Sequence, residues 1–314
     1  MRPAFSVIFL TTLIGAGQGL FVALFSAEFG ASLGMWAMPS AQYFSLGCAL
    51  VLALLGAGLF ASFFHLGRPE RAWRSAAMWR TSWLSREVIV LPVFMAAVAA
   101  YGLAHHLRGA GDLTLTLGGV GVALALLLFV CTGMIYACLP FLQEWHTPLT
   151  VINYLLLGCA SGFLLGTTWA AVQAPALLVT AAAWTAGVTL AALVMRGAAL
   201  ARNARLRPKS TVQTAIGVKH PRIAQKAQGF MGGSFNTRDF FHGKSHAWLR
   251  LVKWGFLLLV FPLPLALLAA GSALASWPVL AAAFLLQYLG LLAERWFFFA
   301  QARHPQNLYY QAIS

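Results

Sequence analysis

The residues best suited to chemistry lie in one short segment, between His65 and Glu87. It reads HLGRPERAWRSAAMWRTSWLSRE and joins two apolar stretches that are each long enough for a helix. Because one loop joins these helices, we expect an imidazole and a carboxylate at the same end of the pair. Histidine changes charge near neutral pH, and a partly desolvated carboxyl group accepts a proton readily. The pair therefore suits proton-coupled chemistry on a lipid-soluble molecule.

A structural interpretation of this segment is also open. Arginine and tryptophan beside a membrane helix are ordinary interfacial anchors. Glu87 suits the positive N-terminus of the helix that follows it, and His65 suits the negative C-terminus of the helix before it. Spacing alone leaves both interpretations standing.

The composition is that of a membrane protein. Of the 314 residues, 60% are hydrophobic and 9% are charged, and the mean hydropathy is +0.77. Soluble domains carry about 25% charged residues, so a water-soluble enzyme is excluded. A helix needs about 20 apolar residues to cross a bilayer, and these continuous runs do not fit the alternating strands of a β-barrel. We predict an all-α polytopic membrane protein with eight transmembrane helices.

The uncharged runs give the approximate extents of these helices. They cover about residues 4–28, 41–64, 87–106, 114–138, 149–172, 175–196, 247–270 and 277–300. The two longest basic connections are the predicted loops 65–86 and 197–246.

The net charge of +14 arises from 21 Lys and Arg residues against 7 Asp and Glu residues. Most of the basic residues between the helices fall in the loops 65–86 and 197–246. The positive-inside rule then places both termini and both basic loops in the cytoplasm. Membrane topology explains the charge, with anionic lipid or a docked protein as a second contribution, so nucleic acid is not an expected partner.

We expect the chain itself to hold no metal cofactor. The four cysteines fall inside predicted helices, without the spacing of a zinc site or an iron–sulfur cluster. The eight histidines lie at helix ends or in loops, so no two face each other at mid-membrane depth as a haem requires. Haem, iron–sulfur and molybdenum sites are therefore not expected here.

A second motif lies in the loop 197–246. It reads GFMGGSFNTRDFFHG, over residues 229–243, and combines glycines with four phenylalanines. A solvated tail has little use for four such side chains, so we favour docking onto a hydrophilic partner over a disordered loop. The candidate docking residues are Arg238, Asp239, Phe240, Phe241 and His242.

The two motifs together resemble the DmsC family, the membrane-anchor subunits of dimethyl sulfoxide reductase-type molybdoenzymes. Length, helix number and the order of the motifs agree, so the resemblance covers essentially the whole chain. It implies a multi-pass protein of the bacterial inner membrane that binds and oxidises menaquinol or a similar quinol. It also implies two partners, an iron–sulfur subunit that receives the electrons and a molybdopterin catalytic subunit, which support anaerobic respiration with dimethyl sulfoxide or a similar acceptor.

The resemblance also implies roles for individual residues. The family ties quinol binding to a histidine at the end of helix 2 and a glutamate at the start of helix 3, which match His65 and Glu87. We expect His65 to hydrogen-bond a quinol oxygen and Glu87 to accept a proton. Flanking side chains either orient the ring, hold the iron–sulfur subunit or anchor the loop at the interface: Arg71, Trp73, Arg74 and Arg86.

Two other classes of function compete with this one. A purely structural anchor or assembly subunit needs the docking loop but no quinol site. A secondary transporter usually has broken helices and polar residues near the midplane, and ionisable residues are nearly absent from the middle of the predicted helices. Even under the first interpretation, the chain is one subunit of an oxidoreductase complex and not a complete enzyme.

Overall fold

The computed structural model describes residues 1–224, 226 and 239–310 of the chain. Within these residues, eight helical segments are long and apolar enough to cross a membrane, as predicted. The first six are α1 (Phe5–Ser32), α2 (Ala41–Ser62), α3 (Trp83–Arg108), α4 (Asp112–Ala137), α5 (Pro148–Gln173) and α6 (Leu178–Ala204). The last two segments are α7 (His246–Val260) followed by α8 (Pro262–Ala273), and α9 (Trp277–Gln301).

Helix α3 begins one turn earlier than the sequence predicted. Its start is fixed at Trp83, because the Ser82 hydroxyl accepts a hydrogen bond from the backbone N–H of Ser85 at 3.3 Å. Glu87 therefore lies inside the first turns of the helix rather than at its start. Helix α6 likewise continues to Ala204, past its predicted end at residue 196.

Helix α1 lies at the centre of the fold, packed against α2, α4 and α5. Its closest crossing is with α5, where Gly19 faces Gly162. A side chain added at Gly162 would collide with the backbone of Gly19 and Leu20. Small residues at such positions let two membrane helices approach to backbone contact, and this crossing sets the spacing of the side chains that α1 and α5 present to each other.

The seventh segment is interrupted at Phe261, directly before Pro262 and Pro264. The interruption frees the backbone carbonyl of Val260, which accepts a hydrogen bond from Gln287 Nε2 of α9 at 3.1 Å. A neighbouring helix thus satisfies the exposed polar group, as an apolar environment requires.

Candidate functional site

Glu87 is buried between α3 and α4. Its side chain accepts a hydrogen bond from the hydroxyl of Thr132, and the residue keeps only 9% of its surface exposed. Among the described residues, Thr132 supplies the one side-chain donor that Glu87 receives. A carboxylate in an apolar environment usually needs several such partners, so this one is under-supplied.

A small polar cavity lies beside Glu87. Besides Glu87 and Thr132, its polar walls come from six side chains on three helices: Thr11, Thr12 and Gln18 from α1, Tyr154 and Ser161 from α5, and Arg295 from α9. The cavity has a volume of about 10 Å³, which is room for about one water molecule. It is too small for a quinone ring.

A buried ion-pair network adjoins this cavity. Glu294 Oε1 lies 2.8 Å from Arg196 Nε, and Glu294 Oε2 lies 3.2 Å from Arg295 Nη1. The guanidinium carbon of Arg295 stands 3.7 Å from the ring centre of Tyr154. All four side chains are buried, and burial of one carboxylate with two guanidinium groups leaves a net positive charge next to the cavity of Glu87.

This network is not apparent from the sequence, which predicts Arg196 as the end of a helix because a charged residue normally marks the edge of a span. The structure buries Arg196 instead, because Glu294 of α9 neutralises it. The sequence does carry a signal, since apolar residues precede Arg196 and Gly-Ala-Ala-Leu-Ala follows it.

A second buried carboxylate, Glu28, lies at the opposite ends of the helices. It accepts hydrogen bonds from Tyr101 Oη at 2.7 Å and from the Thr114 hydroxyl, and His105 Nε2 lies 3.3 Å away. The imidazole of His105 stacks on Phe44 with ring centres 4.2 Å apart. Because α3 runs from Trp83 to Arg108, this cluster and Glu87 occupy opposite membrane faces. Glu28 is thus well partnered and ties α1, α3 and α4 together.

Replacing Tyr101 with phenylalanine should lower the free energy of unfolding by about 2 kcal/mol, because a hydrogen bond to a charged group is lost. Thermal unfolding of the detergent-solubilised protein measures this change. The control is Tyr43→Phe. Tyr43 is also buried, but the hydrogen bond that it accepts from Trp169 Nε1, at 3.0 Å, is made by its main-chain carbonyl and not by its hydroxyl group. Equal losses of stability in the two variants would show that the hydrogen bond to Glu28 does not itself contribute to the free energy of unfolding.

The predicted partner of Glu87, His65, lies on the surface. It ends a short 3-10 turn, Phe63–His65, is exposed, and does not line the cavity of Glu87. Arg71, Trp73 and Arg74 follow in the 3-10 helix Pro69–Ala76 and are exposed as well. The structure therefore separates an exposed loop carrying His65 from a buried Glu87.

Arg86 folds back onto the loop that precedes α3. Its Nε donates to the carbonyl of Trp79 at 2.9 Å and its Nη2 donates to the carbonyl of Arg80 at 2.8 Å. Its guanidinium carbon stands 4.2 Å from the ring centre of Trp83. These contacts give Arg86 a role in shaping the end of the loop, next to Glu87.

The end of the glycine-rich motif packs against other parts of the chain. Arg238 lies outside the described residues, while the carbonyl of Asp239 accepts a hydrogen bond from the N–H of Arg2 at 3.0 Å. The ring of Phe240 stacks on His304 with centres 3.8 Å apart. The pKa of His242 is lowered to about 4, mainly by burial and to a smaller extent by the positive charge of the N-terminus. The predicted docking residues thus meet the segments that precede α1 and follow α9, and docking itself stays a prediction.

Among the described residues, no group of three or more His, Cys, Asp or Glu side chains is placed to hold a metal ion.

Comparisons with known proteins agree with the motifs. Residues 1–301 match the model of the family described as DMSO reductase anchor subunit (DmsC). The chain is also 55% identical to the C subunit of the sulfite dehydrogenase of Allochromatium vinosum, in an alignment of 325 residues that covers 100% of both chains.

Proposed function

Since the chain belongs to the DMSO reductase anchor subunit (DmsC) family, we propose that it exchanges electrons between a membrane quinone and the partner subunits of its complex. As a member of this family it is the membrane anchor of a multi-subunit molybdoenzyme. We assign the partners as an iron–sulfur subunit and a molybdopterin catalytic subunit, in the bacterial inner membrane. The basic loops are assigned to the cytoplasm by the positive-inside rule.

The proposed reaction is sulfite oxidation coupled to quinone reduction. Sulfite and water give sulfate, two protons and two electrons, and quinone takes up two electrons and two protons to become quinol. The resemblance to the family implied the opposite direction, with quinol oxidation and dimethyl sulfoxide or a similar acceptor. The full-length similarity to a protein of a sulfite dehydrogenase supports the reducing direction instead.

One observation supports the proposed quinone site, the contrast between the two buried carboxylates. Glu28 has Tyr101, Thr114 and His105 around it, whereas Glu87 has Thr132 and a water-sized cavity. A purely structural carboxylate gains from full pairing, because unsatisfied buried groups cost stability. An under-supplied carboxylate with access to a cavity is better suited to exchange a proton.

In the proposed site, the exposed loop binds the quinone ring and the buried Glu87 transfers the proton. The cavity of Glu87 admits about one water molecule, so we place the quinone ring outside it, against the loop that carries His65. His65 then hydrogen-bonds a quinone oxygen, and the exposed Trp73 supplies an aromatic surface beside it. Glu87 meets the ring through its small exposed fraction and supplies the proton.

The proposed function is tested on the purified complex with a short-tailed menaquinone analogue. Sulfite should drive reduction of the analogue, and a complex without this chain should lose that activity while it still reduces a soluble artificial acceptor. Quinone reduction that persists without the chain would favour a structural anchor. Turnover only from quinol to dimethyl sulfoxide would restore the direction that the motifs predicted.

Replacing His65 with alanine should raise the KM for the quinone analogue by about tenfold, because one hydrogen bond of roughly 1.4 kcal/mol to the substrate is lost. The kcat should change little, because Glu87 remains in place. His106→Ala is the matched control, since His106 is also exposed but lies at the opposite end of α3. An unchanged KM in His65→Ala would remove the loop from the binding site.

A further inference from the structure

Two polar cavities of this protein share a wall. Arg295 lines the cavity of Glu87 and also a second cavity, nearer the basic loops, that is lined by Asn203 and Glu144. Tyr154 lies in both walls as well. The second cavity also has a volume of about 10 Å³, so each holds about one water molecule.

The groups between the two cavities contact one another. Tyr154 packs under Arg295, Arg295 pairs with Glu294, and Glu294 pairs with Arg196. Arginine keeps its protons in proteins. The exchangeable groups in this stretch are therefore the Tyr154 hydroxyl and the Glu294 carboxylate, held in place by the two guanidinium groups.

The second cavity has unused hydrogen-bonding capacity. The Oδ1 atom of Asn153 and the Nε2 atom of Gln301 are buried and have no hydrogen-bond partner among the described residues. The amide nitrogen of Asn153 is already used, since it donates to the carbonyls of Leu149 and Met195 at 2.7 and 3.2 Å. Buried polar atoms of this kind are normally satisfied by ordered water, so the wall fits a water molecule chemically as well as by size.

Glu144 marks the outer end of this path. It is half-buried in the connection between α4 and α5, and its carbonyl accepts a hydrogen bond from Asn203 Nδ2 at 3.4 Å. Two positive groups lie nearby: Arg202 donates to the carbonyl of the preceding residue, Gln143, at 3.1 Å, and the N-terminal amine is close enough to interact with Glu144. The connection lies on the face of the basic loops, so Glu144 can exchange protons with that compartment.

We propose that these residues form the proton route to the quinone site, which runs from Glu144 through the second cavity and the Arg196–Glu294–Arg295 network to Glu87. The inference rests on the proposed function. During reduction the quinone receives two electrons from the partner iron–sulfur centre and two protons in succession from Glu87. After each transfer the Glu87 carboxylate is reprotonated through the route, and the proton is replaced at Glu144 from the aqueous phase.

The first test is Glu144→Gln in the intact complex, assayed by sulfite-driven reduction of the menaquinone analogue. We expect kcat to fall at least about tenfold, less than the 10²–10⁴-fold contribution of a directly acting acid. The KM for the analogue should not change, the solvent deuterium isotope effect should increase, and a small weak acid such as formic acid should restore part of the rate. Asp112→Asn is the control, because Asp112 is an exposed acidic residue on the opposite face.

The second test removes the charges inside the route. Glu294→Gln alone leaves both Arg196 and Arg295 without their carboxylate, and an uncompensated buried charge destabilises a protein strongly. The double variant Arg196→Gln with Glu294→Gln removes one charge of each sign, so the net charge of the network stays the same. Once thermal unfolding shows that this variant is folded, it should have a kcat at least about tenfold lower, again a smaller loss than for a directly acting acid, without a change in KM.

Three results would overturn the proposed route, and a fourth would overturn the proposed function instead. Wild-type kcat and isotope effect in both Glu144→Gln and the double variant would overturn the route. A raised KM, or a slow Glu144→Gln enzyme that weak acids do not restore, would also overturn it in favour of a structural role. Failure of the proposed function is separate, because it appears as absent quinone reduction in the wild-type complex.

Discussion

Replacing Glu87 with glutamine is expected to lower the kcat of quinone reduction by roughly 10²–10⁴-fold, the usual contribution of a positioned general acid or base. Glutamine has the same shape and still accepts the hydrogen bond from Thr132, but it does not give up or take on the proton. The ring is bound outside the cavity by the loop of His65, so affinity for a quinone analogue should remain close to wild type. The effect thus falls on kcat and not on KM.

This prediction is measured by steady-state assays of the purified complex together with titration of a fluorescent inhibitor of quinone sites. Thr132→Val is the graded comparison, because it removes the donor to Glu87 but keeps the carboxylate. It should slow the reaction less than Glu87→Gln does. Unchanged turnover in Glu87→Gln, with the partners still attached, would leave the chain as a membrane tether without quinone chemistry.

The helices were predictable from the sequence because a long uncharged, apolar run by itself indicates a membrane-spanning helix. The errors lie at charged residues. The sequence placed the start of helix 3 at Glu87, but the capping of Ser82 moves it to Trp83 and draws the carboxylate into the helix. It ended helix 6 near Arg196, because the neutralising Glu294 is far away in the chain and no spacing within either helix reveals the pair.

The depth at which His65 and Glu87 lie was not predictable from the sequence. The segment from His65 to Glu87 predicted an imidazole and a carboxylate at the same end of two neighbouring helices. The structure gives them different environments, since the 3-10 turns after α2 leave His65 exposed while Glu87 turns towards Thr132. Which way a side chain points at a helix start depends on the neighbouring helices, and a single sequence does not report their packing.

The closest helix crossing allows a sharp test of how the fold positions this site. Gly162→Ala should lower the free energy of unfolding by about 3 kcal/mol, the upper end of the range for an overpacked core. The added carbon meets the backbone of Gly19 and Leu20, which a side-chain rotation does not relieve. Thermal unfolding in detergent measures the loss.

Gly187→Ala on α6 is the matched control, because a carbon added there meets nothing within 4 Å. It should leave the midpoint temperature of thermal unfolding unchanged or raise it, since alanine is favoured over glycine within a helix by up to about 1 kcal/mol. Separation of α1 from α5 would also move Gln18 and Tyr154 apart across the cavity of Glu87. Gly162→Ala should therefore slow quinone reduction in the fraction that remains folded. A variant as stable and as active as Gly187→Ala would show that the α1–α5 crossing does not set the geometry of the site.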